Sequence, residues 1–162
     1  MDDITIVPAR ESDVPVILQM IKGLAEYERL SHQVVATEDS LRETLFGPRP
    51  AAEVVLAYHG DEPIGFALFF HNYSTFMGRP GLYLEDLFVV PSWRGHGVGK
   101  LLLTHLASIA VERRCGRMEW AVLDWNESAI GFYTRLGASL LEDWRICRLT
   151  GDALMRAATA AV

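Results

Sequence analysis

The chain is poor in the features that mark several protein classes. It has two cysteines in 162 residues, Cys115 and Cys147, without CxxC spacing, which excludes a disulfide framework and a cysteine-rich zinc site. Its five histidines, His32, His59, His71, His96 and His105, stand singly without metal-ligand spacing, so no metal is expected. No apolar run approaches a membrane span, and the MDDITIV start has no basic n-region. A soluble, cytoplasmic protein with no membrane partner is therefore expected. Basic residues are too few, 15 against 21 acidic for a net charge of −6, for a nucleic-acid partner to be expected. Repeats, linkers and low-complexity tracts are missing, while half the residues are hydrophobic. That balance predicts a single ordered domain over residues 1–162 with a core of its own.

What is present centres on residues 82–109. An apolar run, LYLEDLFVV, reads as a buried strand. PSWRGHGVGK follows, with Gly95, Gly97 and Gly99 and flanking cations Arg94 and Lys100. Val98, Leu101, Leu102, His105, Leu106 and Ile109 then recur at helical spacing. A strand, a loop with little side chain and a helix start place bare N–H groups at a positive helix end, an anion site above all for phosphate. The loop is neither a Walker loop nor a dinucleotide fingerprint: Leu101 follows the lysine, and the third glycine of a G-x-G-x-x-G falls on Lys100 or Leu102.

Taken in order, residues 4–7 read as a strand and residues 14–28 as a helix with an apolar stripe from Val14 to Ala25. Residues 37–46 form a shorter helix stopped by Gly47-Pro48. Strands at 53–58 and 64–70 make a hairpin, and residues 72–81 read as a loop. After the central strand and the helix to about residue 114, residues 117–123 read as a strand and 128–136 as a helix that Gly137 ends. Residues 139–149 read as a last strand, and the Ala-rich tail after Gly151 has helical character. The predicted class is mixed α/β, in the order β-α-α-β-β-β-α-β-α-β, a mostly antiparallel sheet with helices on both faces.

This order, with the Arg94-x-x-Gly97-x-Gly99 loop after the fourth strand, resembles the GNAT N-acetyltransferase fold over nearly the whole chain. Three stretches sharpen the resemblance. Tyr83-Leu84-Glu85-Asp86-Leu87, Glu26-Tyr27-Glu28, and Trp125-Asn126 with Phe132-Tyr133 and Leu136-Gly137-Ala138 are similar to the spermidine/spermine N-acetyltransferase branch. Tyr73-Ser74-Thr75-Phe76 and AVLDWN look more like its thialysine (aminoethylcysteine) acetyltransferases. The polyamine enzymes carry an acid and a Pro-Trp pair where this chain has Tyr73 to Phe76.

The resemblance implies an acetyl-CoA-dependent N-acetyltransferase acting on the primary amine of a small molecule, thialysine-like, lysine-like or a diamine. A polyamine acetyltransferase is the alternative; a non-catalytic acyl-CoA-binding or interaction module is the alternative of another class. The family further implies a homodimer, and a cofactor site of Leu87, Val89, Arg94, Gly95, Gly97, Gly99, Lys100, Asn126 and Tyr133. In it, a main-chain N–H near Leu87, beside a bulge, meets the developing oxyanion. Glu85 is the implied base, through an ordered water, with Asp86 toward the substrate. Successive strand residues point to opposite faces, so Glu85 and Asp86 are expected on opposite sides; an ion pair with an arginine is the structural alternative for either. Tyr133 is the implied acid for the departing thiolate, against the alternative of a core aromatic. Tyr27, Glu28, Tyr73, Glu85 and Asp86 are the expected amine pocket.

Overall fold

The computed structural model of the protein describes residues 3–160. Contacts divide the chain into two compact units that meet in sequence after Leu123.

The first unit is a five-stranded sheet in the order β1-β2-β3-β4-β5, which is also chain order. β1 is Ile4–Pro8, β2 Glu53–His59, β3 Glu62–Ser74, β4 Arg79–Val89 and β5 Met118–Trp120. All neighbours are antiparallel except β4 and β5, which are parallel. Helices α1 (Val14–Tyr27), α2 (Glu38–Phe46) and α3 (Val98–Glu112) follow the predicted spans closely. Apolar side chains from α1 and α2 pack with Val54, Leu56, Phe66 and Phe88 on one face of the sheet. On the other face, a Cβ at Gly65 would lie 3.4 Å from side-chain atoms of both Val98 and Leu102, so α3 sits close against β3. Both faces are thus covered, which explains the unbroken burial of residues 64–67 in β3.

Two glycines set close approaches. A Cβ at Gly23 of α1 would fall 2.7 Å from Cζ of Phe88, and one at Gly65 2.9 Å from the Phe88 carbonyl oxygen. α2 begins with reciprocal capping: the Ser40 N–H donates to Thr37 Oγ1 at 3.1 Å and the Thr37 N–H to Ser40 Oγ at 2.9 Å.

Residues 72–81, expected as a loop, are mostly strand. β3 continues to Ser74 and β4 starts at Arg79, with Asn72 opposite Gly81 and Ser74 opposite Arg79. Polar residues and glycines hid this extension, because pairing partners rather than local composition decide it.

In the second unit, α4 spans Glu127–Arg135 and α5 spans Gly151–Thr159. The Ala129 N–H donates to the Asn126 side-chain oxygen at 3.3 Å, capping α4. Gly137, at φ 98°, ends it: its N–H reaches the Thr134 carbonyl at 3.0 Å and the Ala138 N–H reaches that of Tyr133 at 3.1 Å. The strand expected over residues 139–149 does not form; this stretch pairs with no strand among the described residues. Its apolar spacing is strand-like, but Trp144 and Ile146 are exposed and Glu142-Asp143 break it. Among the described residues, no helix is long and apolar enough to cross a membrane.

Candidate active site

The centre of the site is a bulge in β4. Leu68 of β3 lies opposite Asp86, but the next residue, Phe69, lies opposite Leu84. Glu85 is therefore the extra residue, and Glu85 and Asp86 together oppose Leu68. Tyr83 pairs with Phe70 and Phe88 with Phe66, so Tyr83, Asp86 and Phe88 share the face of Phe66, Leu68 and Phe70. Glu85, two residues from Tyr83, joins them. The expectation that Glu85 and Asp86 face opposite sides is thereby corrected: the inserted residue cancels the alternation. No glycine marks this bulge. Its trace in the sequence is a pair of adjacent carboxylates in an apolar strand.

Glu28, just past the end of α1, belongs to the same cluster. Burial, then the charge of Glu85 and then that of Glu28, raise the Asp86 carboxyl to about 6. Burial also raises the Glu28 carboxyl, and burial together with the charges of Glu85 and Glu119 raises the Tyr83 phenol. Among the described residues, none of Glu28, Glu85 and Asp86 forms an ion pair. A largely buried carboxylate that feels two further negative charges is costly, and a bound ammonium would relieve it. The arginine ion pair considered as an alternative is not formed among the described residues.

β4 also supplies an open edge. Its pairing with β5 covers only Leu82–Leu84. The Val90 N–H donates to the Ile64 carbonyl at 3.0 Å, so Phe88 and Val90 turn their main-chain groups toward β3. By alternation, the N–H and C=O of Leu87 and Val89 turn away from β3, to the side where β5 has ended. The Val89 carbonyl accepts a hydrogen bond from Arg94 Nε at 3.2 Å.

The glycine loop follows directly. Gly95 and Gly97 have φ of 79° and 83°, and Gly97 is the N-cap of α3. A left-handed turn there needs glycine and points the first free amides of a 15-residue helix outward. Gly99 differs: its backbone is helical, and a Cβ would meet nothing nearer than Val89 Cγ2 at 3.9 Å. The protein itself does not demand glycine at 99, so the bare surface fits close approach by a ligand. These amides, Arg94 and Lys100 match a diphosphate in charge and donor type. Acetyl-CoA carries such a group, and the loop fits it.

Arg94 is further seated on aromatic rings. Its guanidinium carbon is 4.6 Å from the centre of the Tyr27 ring and 5.5 Å from that of Phe88. The roles of Phe88 and Tyr83 in this wall were not read from the sequence, where both pass as ordinary core aromatics.

Residue 73 stands apart. Tyr73 pairs with Pro80, five positions along β3 from Leu68, about 17 Å at strand rise. Asn126 and Tyr133 belong to the second unit. They are seven residues apart, close to two helical turns, and so share one side of α4. The Tyr133 ring lies 5.5 Å from that of Phe132. Among the described residues, no three of His, Cys, Asp and Glu are grouped to hold a metal ion.

Comparison with known proteins decides the family. The profile of the acetyltransferase (GNAT) family matches residues 21–138. This chain belongs to the GNAT family. It is an N-acetyltransferase, and members of its family use acetyl-CoA as co-substrate. It is 38% identical to the L-ornithine N5-acetyltransferase NATA1 of Arabidopsis thaliana, over 90% of this chain and 84% of that protein. It is 41% identical to the thialysine N-epsilon-acetyltransferase of Mus musculus, over 90% of this chain and 92% of that one. Among solved structures, an integron cassette protein from the mobile metagenome of V. cholerae superposes with a TM-score of 0.81 at 28% identity, covering 97% of this chain and 98% of that one.

Proposed function

We propose that the amine acetylated by this N-acetyltransferase is the side-chain amine of a small amino acid of the thialysine, lysine or ornithine kind, with short diamines as the neighbouring class. The carboxylate cluster carries the reading. Glu28, Glu85 and Asp86 have no ion-pair partner among the described residues, and Asp86 is held up at about 6. An alkyl ammonium ionises near pH ~10.4, so the substrate arrives charged and satisfies the cluster. The names of the ornithine and thialysine relatives support the same class.

In this reading Arg94, Gly95, Gly97, Gly99 and Lys100 hold the diphosphate, and Leu87 and Val89 offer main-chain groups to the pantetheine arm. Acetyl-CoA, when bound, supplies the thioester that the amine attacks. Glu85 and Asp86 take up the ammonium proton. Asp86, its carboxyl raised to about 6, is matched to a base near neutral pH, whereas the family resemblance pointed to Glu85. Glu28 holds the substrate charge. Tyr133 keeps a transferable proton for the leaving side, and Asn126 holds the start of its helix and the pantetheine arm. A single domain over residues 1–162, assembled as a cytoplasmic homodimer, completes the proposal. The family match supports the single domain, because it runs past Leu123 into the second unit.

The test is thiol release from acetyl-CoA with thialysine, lysine, ornithine, putrescine, spermidine and spermine. Thialysine, lysine or ornithine should give the highest kcat/KM. Preference for spermidine or spermine would overturn the substrate class, and no turnover with any small amine would overturn the reading as a whole.

A further inference from the structure

We propose that Tyr27 is a positioning residue for the diphosphate loop: its ring seats the Arg94 guanidinium ready for the cofactor. The proposal rests on the reading of that loop as the diphosphate site. Arg94 lies between a short 3-10 turn at Pro91–Trp93 and two left-handed glycines, a setting in which a long exposed side chain would sample many rotamers. Binding an anion would then have to freeze them. In this chain three contacts fix the side chain beforehand. Its Nε donates to the Val89 carbonyl at 3.2 Å, and its guanidinium lies over Tyr27 at 4.6 Å and Phe88 at 5.5 Å. The hydrogen bond to the Val89 carbonyl uses Nε, so the Nη donors are left for an anion.

Phe88 is a core residue, 7% exposed, whereas Tyr27 is 38% exposed. Tyr27 can therefore be changed without emptying the core. The sequence placed Tyr27 with Glu28 in the amine pocket. In the proposal the two neighbours divide the work: Glu28 acts on Asp86, and Tyr27 on Arg94. The end of α1 thus serves both halves of the reaction.

The experiment is calorimetric titration of CoA into wild type, Tyr27→Leu, Tyr27→Phe, Arg94→Ala and the double variant Tyr27→Leu/Arg94→Ala, with thermal unfolding as the check of folding. Amine KM is measured at saturating acetyl-CoA. Tyr27→Leu should weaken CoA binding about three- to fivefold, the size of an exposed cation–π contact. Tyr27→Phe should bind nearly as wild type. In the Arg94→Ala background Tyr27→Leu should add nothing, and amine KM should hold. Equal CoA affinity with a raised amine KM would overturn the proposal in favour of a pocket wall. A full loss in the Arg94→Ala background would overturn it too, because Tyr27 would not be acting through Arg94. A wild type that does not bind CoA would sink the diphosphate reading itself.

Discussion

Leu84 and Asp86 stand two residues apart on one strand and face opposite sides of the sheet. In an unbroken strand they would share a side. The residue between them, Glu85, is taken up by the bulge, and the register of everything after it shifts by one. Leu84 thereby packs with Phe69, while Asp86 and Phe88 turn toward the end of α1, where Glu28 and Tyr27 are. A single inserted position puts both β4 carboxylates on the face that α1 and α2 cover, beside the core residues Phe66 and Phe88.

Asp86 should make the protein less stable as pH rises through the mildly acidic range. Its carboxyl is raised from 3.8 to about 6, so between those values the native state holds more protons than the unfolded chain. Stability falls with rising pH across that window. Asp86→Asn should remove this slope and raise stability at pH 7 to 8, by about 3 kcal/mol at most. Amine kcat/KM should fall at the same time. Urea denaturation from pH 4 to 8 beside steady-state kinetics checks both; a steeper slope in the variant would refute the assignment.

Glu53 has the opposite sign. Hydrogen bonding from Arg113, at 2.6 and 2.9 Å, holds its carboxyl below the ordinary value. Its contribution is present above that ordinary value and is lost as pH falls through the lowered one. Both side chains are substantially exposed, 46% and 38%, so Arg113→Ala should cost about 1 kcal/mol or less at pH 7. The loss should shrink in 1 M salt, which denaturation at two ionic strengths will show.

How much of this was legible in the sequence differs by residue. Val14, Ile17 and Leu41 announced their helices because burial on one face imposes a helical period. Gly95, Gly97 and Gly99 announced a loop with little side chain before α3, while the left-handed cap at Gly97 is a finding of the structure. The bulge at Glu85 was implied by the family resemblance alone, because no residue type is required for it and no glycine marks it. Residues 139–149 have the composition of a strand but lack a strand to pair with. The seat of Arg94 on Tyr27 joins positions 67 residues apart, and nothing local encodes it.

The two glycines at the start of α3 should separate folding from binding. Gly99→Ala should leave stability unchanged or raise it by about 0.5–1 kcal/mol, since alanine suits a helix better. Gly97→Ala should cost about 1–2 kcal/mol, because φ of 83° is strained for alanine. Both should weaken CoA binding by calorimetry. Undiminished CoA affinity in folded Gly99→Ala would remove the cradle from the diphosphate site.

Tyr133→Phe should fold as wild type and keep its CoA affinity, with kcat reduced about 100-fold or more. An unaltered kcat would remove Tyr133 from the chemistry.

The stretch of β4 past Leu84, paired with β3 but not with β5, has a consequence for the protein without its co-substrate. Main-chain donors and acceptors of Leu87 and Val89 lie along an edge that no strand pairs among the described residues, and an edge of that kind is open to strands from other molecules. Arg94 occupies the Val89 carbonyl and places a cation beside it, the kind of charge that discourages edge-to-edge association. In the proposed reading one side chain thus has two uses: Arg94 meets the anion and sets a charge beside the strand edge.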